Sequence, residues 1–314
     1  MSTPKRYSGV IVPMATPFTE SGRIDRATVE RIANYLVEGG CHPFVLGTTG
    51  EGASIQERDR AELVQWTVEA VAGRAMVYAG ISTNVLEDAA EMARHYLELG
   101  ADAVVAHPPS YYPITGDDML RYFELLADRT GGPLVIYNIP VTTNLSIPLD
   151  VVEALSHHPN VVGLKDSEGN LNRLEEAVSR WSRREDFAHL TGWAAQSAYG
   201  LRLGSDGIVP SAGNVVPKWY RALYDAAAAG DHATSYAIQK ATDELSTLYV
   251  DHPTLGQSLA ALKAMMAARG LCEPHMLPPL FRLLPRDEEA VRRRMARFDT
   301  ERVPGRPSAA GRAG

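Results

Sequence analysis

Two cysteines, Cys41 and Cys272, are all that 314 residues contain. They cannot supply a disulfide framework, so a reducing, cytoplasmic setting is expected. No stretch approaches the ~18 consecutive apolar residues of a membrane span. Residues 1–6 are followed by no apolar core of a secretory signal, so no membrane association is expected. The net charge is −7, and no basic stripe precedes Arg292, Arg293 and Arg294. That run adjoins Asp287, Glu288 and Glu289 and reads as a solvated helix face, so nucleic acid is not an expected partner. The nine histidines include no His-x-x-x-His pair and no His/Cys cluster. His157-His158, before Pro159, reads as a helix end. A metal site, and with it a metal-dependent aldolase, is therefore not expected. There is no Gly-x-Ser-x-Gly elbow, which removes support for serine-hydrolase chemistry.

What is present is a recurring unit. The 45% hydrophobic and 22% charged composition is ordinary for a globular chain. Short apolar runs occur at 9–14, 43–47, 75–80, 102–107, 133–138, 161–166, 189–192 and 206–209. Most start about 30 residues apart, the length of one βα unit. They lack period-2 alternation, as expected for parallel strands buried on both faces. Amphipathic stretches intervene at about 26–38, 56–71 and 86–99, and stop near Gly39-Gly40, Gly73 and Gly100. Eight such units predict a closed (β/α)8 TIM barrel. An open doubly wound sheet would need a nucleotide fingerprint after the first strand, and 9–18 supplies none. From about 218 to 297 the pattern is helical, with breaks near Gly230, 251–256 and 270–279. The expected organisation is a barrel over 1–225, a helical extension over 226–300 packed on it, and a disordered tail over 301–314.

Catalytic groups of such barrels sit where strands end and βα loops begin. The second strand ends in Gly47-Thr48-Thr49-Gly50-Glu51-Gly52, and the fourth leads to Pro108-Pro109-Ser110-Tyr111-Tyr112. The fifth ends in Tyr137-Asn138-Ile139-Pro140 and the sixth in Gly163-Leu164-Lys165-Asp166-Ser167. Lys165 interrupts an apolar run, so its stem should point into the barrel. Desolvation lowers the pKa of such an amine and makes it a Schiff-base nucleophile. On spacing alone, an ion pair with Asp166 or another carboxylate is an equal alternative. Tyr137 is the candidate proton shuttle, against the alternative of a core aromatic with a satisfied hydroxyl. The 47–52 loop offers backbone N–H groups and two hydroxyls to a carboxylate, or is a plain glycine turn. It is not a P-loop, because no Gly-Lys-Ser/Thr follows.

These four strand ends, in this order and spacing, resemble the dihydrodipicolinate synthase and N-acetylneuraminate lyase superfamily over about residues 7–298. The resemblance implies that Lys165 forms an imine with pyruvate or a related 2-oxo acid and that Tyr137 relays protons. It implies that Thr48 and Thr49 hold the pyruvyl carboxylate. It also implies that Tyr112 reaches a neighbouring subunit's site and links through Thr49 to Tyr137. Val209 would line the barrel beside the imine. A homotetramer, often a dimer of dimers, and no metal or organic cofactor are implied as well.

Some positions depart from the family pattern. The synthases carry an arginine two residues after the proline of the tyrosine motif, where this chain has Thr142. A threonine cannot reproduce a bidentate carboxylate clamp. Whether Arg202 or Lys218 stands in is open from sequence. Gly192 is followed by Trp193, Ala194 and Ala195 rather than by the polar residues of the sugar-acid enzymes. Lys165-Asp166-Ser167 with Glu168-Gly169 looks most like the 4-hydroxy-2-oxoglutarate aldolase branch, which implies that Ser167 contacts the distal part of the substrate. The expectation is a lyase that cleaves or forms a 4-hydroxy-2-oxo acid from pyruvate and an aldehyde, with Tyr137 taking the C4 hydroxyl proton. The alternatives are a 4-hydroxy-tetrahydrodipicolinate synthase or sugar-acid aldolase or dehydratase using the same imine, or a non-catalytic 2-oxo acid sensor.

Overall fold

The computed structural model describes residues 5–304. Eight parallel strands close into a barrel in sequence order: β1 Gly9–Pro13, β2 His42–Val45, β3 Tyr78–Gly80, β4 Ala103–Ala106, β5 Leu134–Asn138, β6 Val161–Asp166, β7 Ala188–Thr191 and β8 Gly207–Ile208. This is the expected TIM barrel. β1 pairs with β8, so no strand edge is left open.

The side chains sort into two apolar clusters. Inside the barrel lie Ile11, Phe44, Val105, Val135, Tyr137, Leu190 and Val209 with others. Outside, Val45, Val104, Ala106, Leu134, Ile136 and Leu164 pack under the helices. Residues on one strand therefore alternate between the two clusters, because successive side chains leave a strand on opposite faces. Both faces are dry, which is why the strands read as unbroken apolar runs.

The helices that cover the barrel are α1 Arg26–Glu38, α2 Glu57–Val71, α3 Leu86–Glu98, α4 Gly116–Thr130, the short α5 Pro140–Thr143, α6 Leu149–Leu155, α7 Leu171–Trp181, α8 Ser197–Leu203 and α9 Pro217–Ala228. Asp25 caps α1, and Thr115 with Asp118 forms a capping box on α4. Gly40 and Gly100 follow their helices with φ of +75° and +100°, where glycine carries no steric penalty. Beyond α9 come α10 His232–Val250, α11 Leu255–Ala268 and α12 Pro285–Met295. Ile238, Leu245, Leu262 and Met266 of α10 and α11 belong to the outer cluster of the barrel, so the extension shares its core. The expected 225/226 boundary falls inside α9.

At the other end, Glu301 pairs with Arg269 and, at 3.9 Å, with Lys218, so the chain is still anchored at the start of the expected tail. The tail from 305 onward lies outside the described residues. Among the described residues no helix is long and apolar enough to cross a membrane. None of their His, Cys, Asp and Glu side chains form a group of three that could hold a metal ion. Cys41 and Cys272 are both buried and free.

Candidate active site

The site grows from the register of β5 and β6. Tyr137 and Lys165 are paired positions on these adjacent strands, and β6 alternation sends Lys165 inward while Leu164 faces the helices. Lys165 is 5% exposed. Its Nζ stands 3.7 Å from the centre of the Tyr137 ring and 4.8 Å from that of Phe44. Burial pulls the pKa of this amine below its ordinary value, with Tyr137 opposing the shift.

Asp166 is not the partner of Lys165. It faces the opposite way and meets Arg173 Nε at 2.6 Å. Asn138 Nδ2 donates to Asp166 Oδ1 and to Glu168 Oε2, both at 3.0 Å, and the Glu168 N–H donates to Asp166 Oδ1 at 3.0 Å. The aspartate is thus saturated by donors behind the sheet. Among the described residues Lys165 forms no ion pair, and the ion-pair alternative fails because Arg173 and Asn138 occupy the carboxylate.

The 47–52 loop is held in a sharply turned form. Leu46 and Glu51 take left-handed φ of 60° and 55°, which costs energy for residues with a Cβ and is found where surroundings fix the backbone. A Cβ on Gly52 would lie 2.1 Å from the Leu46 carbonyl oxygen, so only glycine fits there. The Glu51 and Gly52 N–H groups donate to Thr48 O and Gly47 O, at 3.1 and 3.2 Å. The Thr48 and Thr49 N–H groups have no acceptor among the described residues, which leaves them free for an anion. Glu51 itself is buried, pairs with Lys263 of α11 at 2.5 Å and accepts the Leu277 N–H at 3.0 Å. The helical extension therefore pins the loop from behind.

A cavity of about 390 Å³ opens over the 47–52 loop. Thr48 and Tyr137 line it, as do His107, Ser82, Thr142 and Arg60. Leu255, Leu259, Pro279 and Leu280 of the extension form an apolar wall. Arg202 stacks over Tyr199 and Tyr236 at 5.1 and 5.8 Å, and Lys218 reaches Glu301, so neither approaches the cavity. Arg60 is the cation on the wall, with Nε on Ile55 O at 3.0 Å and Nη1 on Met92 Sδ at 3.7 Å.

The other expected residues are spread around the same end of the barrel. Thr49 is buried, and its hydroxyl lies 3.0 Å from Ser211 Oγ. Val209 belongs to the inner cluster with Tyr137. Ser167 and Gly192 touch, because a Cβ on Gly192 would fall 2.1 Å from Ser167 Oγ. Tyr112 has an implied role in a neighbouring subunit's site and none within its own. It is 70% exposed and stacks edge-on against Tyr111, with ring centres 4.9 Å apart. Within the subunit the Thr49 hydroxyl meets Ser211, and no hydrogen bond among the described residues joins it to Tyr137.

The dihydrodipicolinate synthetase family model matches residues 6–297. The chain belongs to that family. A 4-hydroxy-tetrahydrodipicolinate synthase of Acidiphilium cryptum is 34% identical over 74% of this chain and 80% of its own length. A 4-hydroxy-tetrahydrodipicolinate synthase 2 of Streptomyces coelicolor is 31% identical over 93% and 95%. The dihydrodipicolinate synthase structure from Bacteroides thetaiotaomicron superposes with a TM-score of 0.89 at 28% identity, over 94% of this chain and 100% of that one. Members of this family are class I lysine Schiff-base lyases, and this protein is an enzyme of that class.

Sequence reasoning missed several residues that shape this family member's cavity. His107 carried a signal: it sits two positions after inward-facing Val105, on the same side of β4. Arg60, Leu255, Leu259 and Leu280 carried none, since they come from helices and loops that only tertiary packing brings over the barrel mouth.

Proposed function

We propose that Lys165 is the imine-forming lysine and that the enzyme cleaves or forms a 4-hydroxy-2-oxo acid from pyruvate and an aldehyde. The observation that carries this reading is a dry amine with no counter-charge, stacked on the Tyr137 ring. Such an amine loses its proton readily and can attack a ketone. Thr48 and Thr49 offer unpartnered N–H groups for the carboxylate of the 2-oxo acid. Tyr137 is within reach to relay protons as the carbinolamine collapses to the imine. The imine then acts as the electron sink for breaking C3–C4. Borohydride added in the presence of pyruvate should fix one pyruvyl group on Lys165. An unchanged protein mass would sink the mechanism.

A second reading is supported by the relatives' names: a 4-hydroxy-tetrahydrodipicolinate synthase, using the same imine with aspartate semialdehyde. Against it stands Thr142 on the cavity wall, where the synthases carry an arginine. In its favour, Arg60 lines the same cavity, and one guanidinium nitrogen is left over to meet a carboxylate. Product analysis with pyruvate and a panel of aldehydes separates the two. Preference for aspartate semialdehyde over uncharged aldehydes would establish the synthase. The exposed Tyr111 and Tyr112 rings fit contact with a second copy of the chain in a homotetramer, for which sedimentation is the direct measurement.

A further inference from the structure

The inner face of the barrel carries one more proton-transfer group than the family resemblance requires. Val105 and Val135 are paired on β4 and β5, and Ala106 pairs with Ile136. Continuing that register sets His107 beside Tyr137, and Tyr137 is itself paired with Lys165. His107, just past the end of β4, thus stands in line with Tyr137 and Lys165 near the ends of β5 and β6. The His107 and Tyr137 ring centres are 6.4 Å apart, inclined at 61°.

The imidazole is held in one tautomer. Its Nδ1 lies 2.8 Å from the Pro108 carbonyl, which can only accept, so the proton sits on Nδ1 and Nε2 is left as an acceptor. The His107 backbone N–H donates to Ser82 Oγ at 3.0 Å, which fixes the start of the loop. Nε2 has no hydrogen-bond partner among the described residues, and it is not among their sealed, unsatisfied polar atoms. The ring lines the cavity that Tyr137 and Thr48 also line. Burial pulls the imidazole's pKa below its ordinary value, with the Pro108 contact opposing and Lys165 adding to the shift.

We propose that His107 is a third catalytic residue, whose Nε2 carries the proton exchanged between the C4 hydroxyl and C3 of the imine-bound substrate. This rests on the Lys165 imine reading. In the cleavage direction Nε2 takes the C4 hydroxyl proton. The C4–O electrons close the aldehyde carbonyl, the C3–C4 bond breaks, and its electron pair forms C2=C3 while the iminium π pair returns to nitrogen. The aldehyde leaves, and the imidazolium returns its proton to C3 of the enamine. No proton or electron is gained or lost overall. Tyr137, with its ring under Nζ, remains the group for forming and hydrolysing the imine.

Pyruvate alone tests this, because enamine formation moves a C3 proton without any aldehyde. Wild type, His107→Ala and His107→Asn are each incubated with pyruvate in deuterium oxide, and C3 exchange is followed by NMR. Each is also trapped with borohydride. The expected result is imine trapping close to wild type in both variants and C3 exchange slower by about 10²–10⁴-fold, the range for loss of a general base. Added imidazole should restore part of the exchange in His107→Ala, which a packing role would not produce. Exchange at the wild-type rate in a variant that still traps the imine overturns the proposal. Absence of trapping in the wild type overturns the Lys165 reading instead. Folding of each variant is checked by circular dichroism. If His107→Ala is misfolded, the smaller change to Asn decides.

Discussion

Among the described residues two lysines are buried, one in the barrel and one in the helical extension, and they live in opposite electrostatic surroundings. Lys263 of α11 is 1% exposed, pairs with Glu51 at 2.5 Å, donates to the His275 carbonyl at 2.7 Å and stands 4.2 Å over the Phe18 ring. Lys165 of β6 is 5% exposed and has two aromatic faces but no carboxylate. Burial pulls down the pKa of each, and only at Lys263 does a buried carboxylate push back. The first arrangement fixes a charge in place. The second destabilises the charge and exposes a lone pair, which is what nucleophilic attack needs. The two are coupled in space: Glu51, which neutralises Lys263, belongs to the loop that offers its N–H groups beside Tyr137.

The largest effect expected from breaking this contrast is at Lys165. Lys165→Met should abolish turnover and borohydride adduct formation while raising stability at neutral pH. In the folded wild type the amine's pKa lies below its unfolded value of ~10.5, so the unfolded chain binds more protons between the two values and stability rises with pH through that window. The melting-temperature advantage of Lys165→Met should therefore shrink as pH climbs toward ~10.5. An advantage that is absent, or that grows with pH, would mean the amine is not held against its charge.

Next comes the phenol. Tyr137→Phe should lower kcat by about 10²–10⁴-fold, as for a lost proton relay, in steady-state assays with any accepted aldehyde. A drop of less than tenfold would leave Tyr137 as a stacking partner only.

The structural lysine comes third. Lys263→Met leaves Glu51 buried and unpaired, at a cost of about 3–5 kcal/mol in urea unfolding. The double change Glu51→Gln with Lys263→Met should recover most of that, because the pair itself is worth little once both charges are gone. A Lys263→Met protein as stable as wild type would erase the contrast between the two sites.

The smallest change expected is at Thr49. Thr49→Val removes the hydroxyl contact with Ser211, a net ~1 kcal/mol. The KM for pyruvate should rise a few-fold with kcat nearly unchanged, and a larger fall in kcat would assign Thr49 to the chemistry.

Much of this contrast was legible in the sequence. Lys165 stood out because it broke an apolar strand, which implied a stem directed into the barrel. The eight strands were legible because each is buried on both faces, although their ends shortened: β3 starts at Tyr78 rather than 75, and β2 stops at Val45, before Leu46 turns left-handed. Lys263 was not legible, since it reads as one polar residue in a helical stretch, and nothing local says that Glu51 waits 212 positions away. Asp166 misled for the same reason. It adjoins Lys165 in sequence, yet strand alternation turns it to the other face, where Arg173 takes it.

The sequence by itself determined the period, and with it the barrel, the inward row and the identity of the groups at each strand end. The barrel follows from apolar runs and amphipathic stretches that recur about every 30 residues, and the inward row from side chains leaving a strand on alternate faces. Only the tertiary structure decided which charges meet. It paired Glu51 with Lys263, took Asp166 away from Lys165, set His107 beside Tyr137 and closed the cavity with α11. Those outcomes depend on distances between segments far apart in the chain. In a low-dielectric interior such distances, not local propensity, decide whether a buried amine is an ion or a nucleophile.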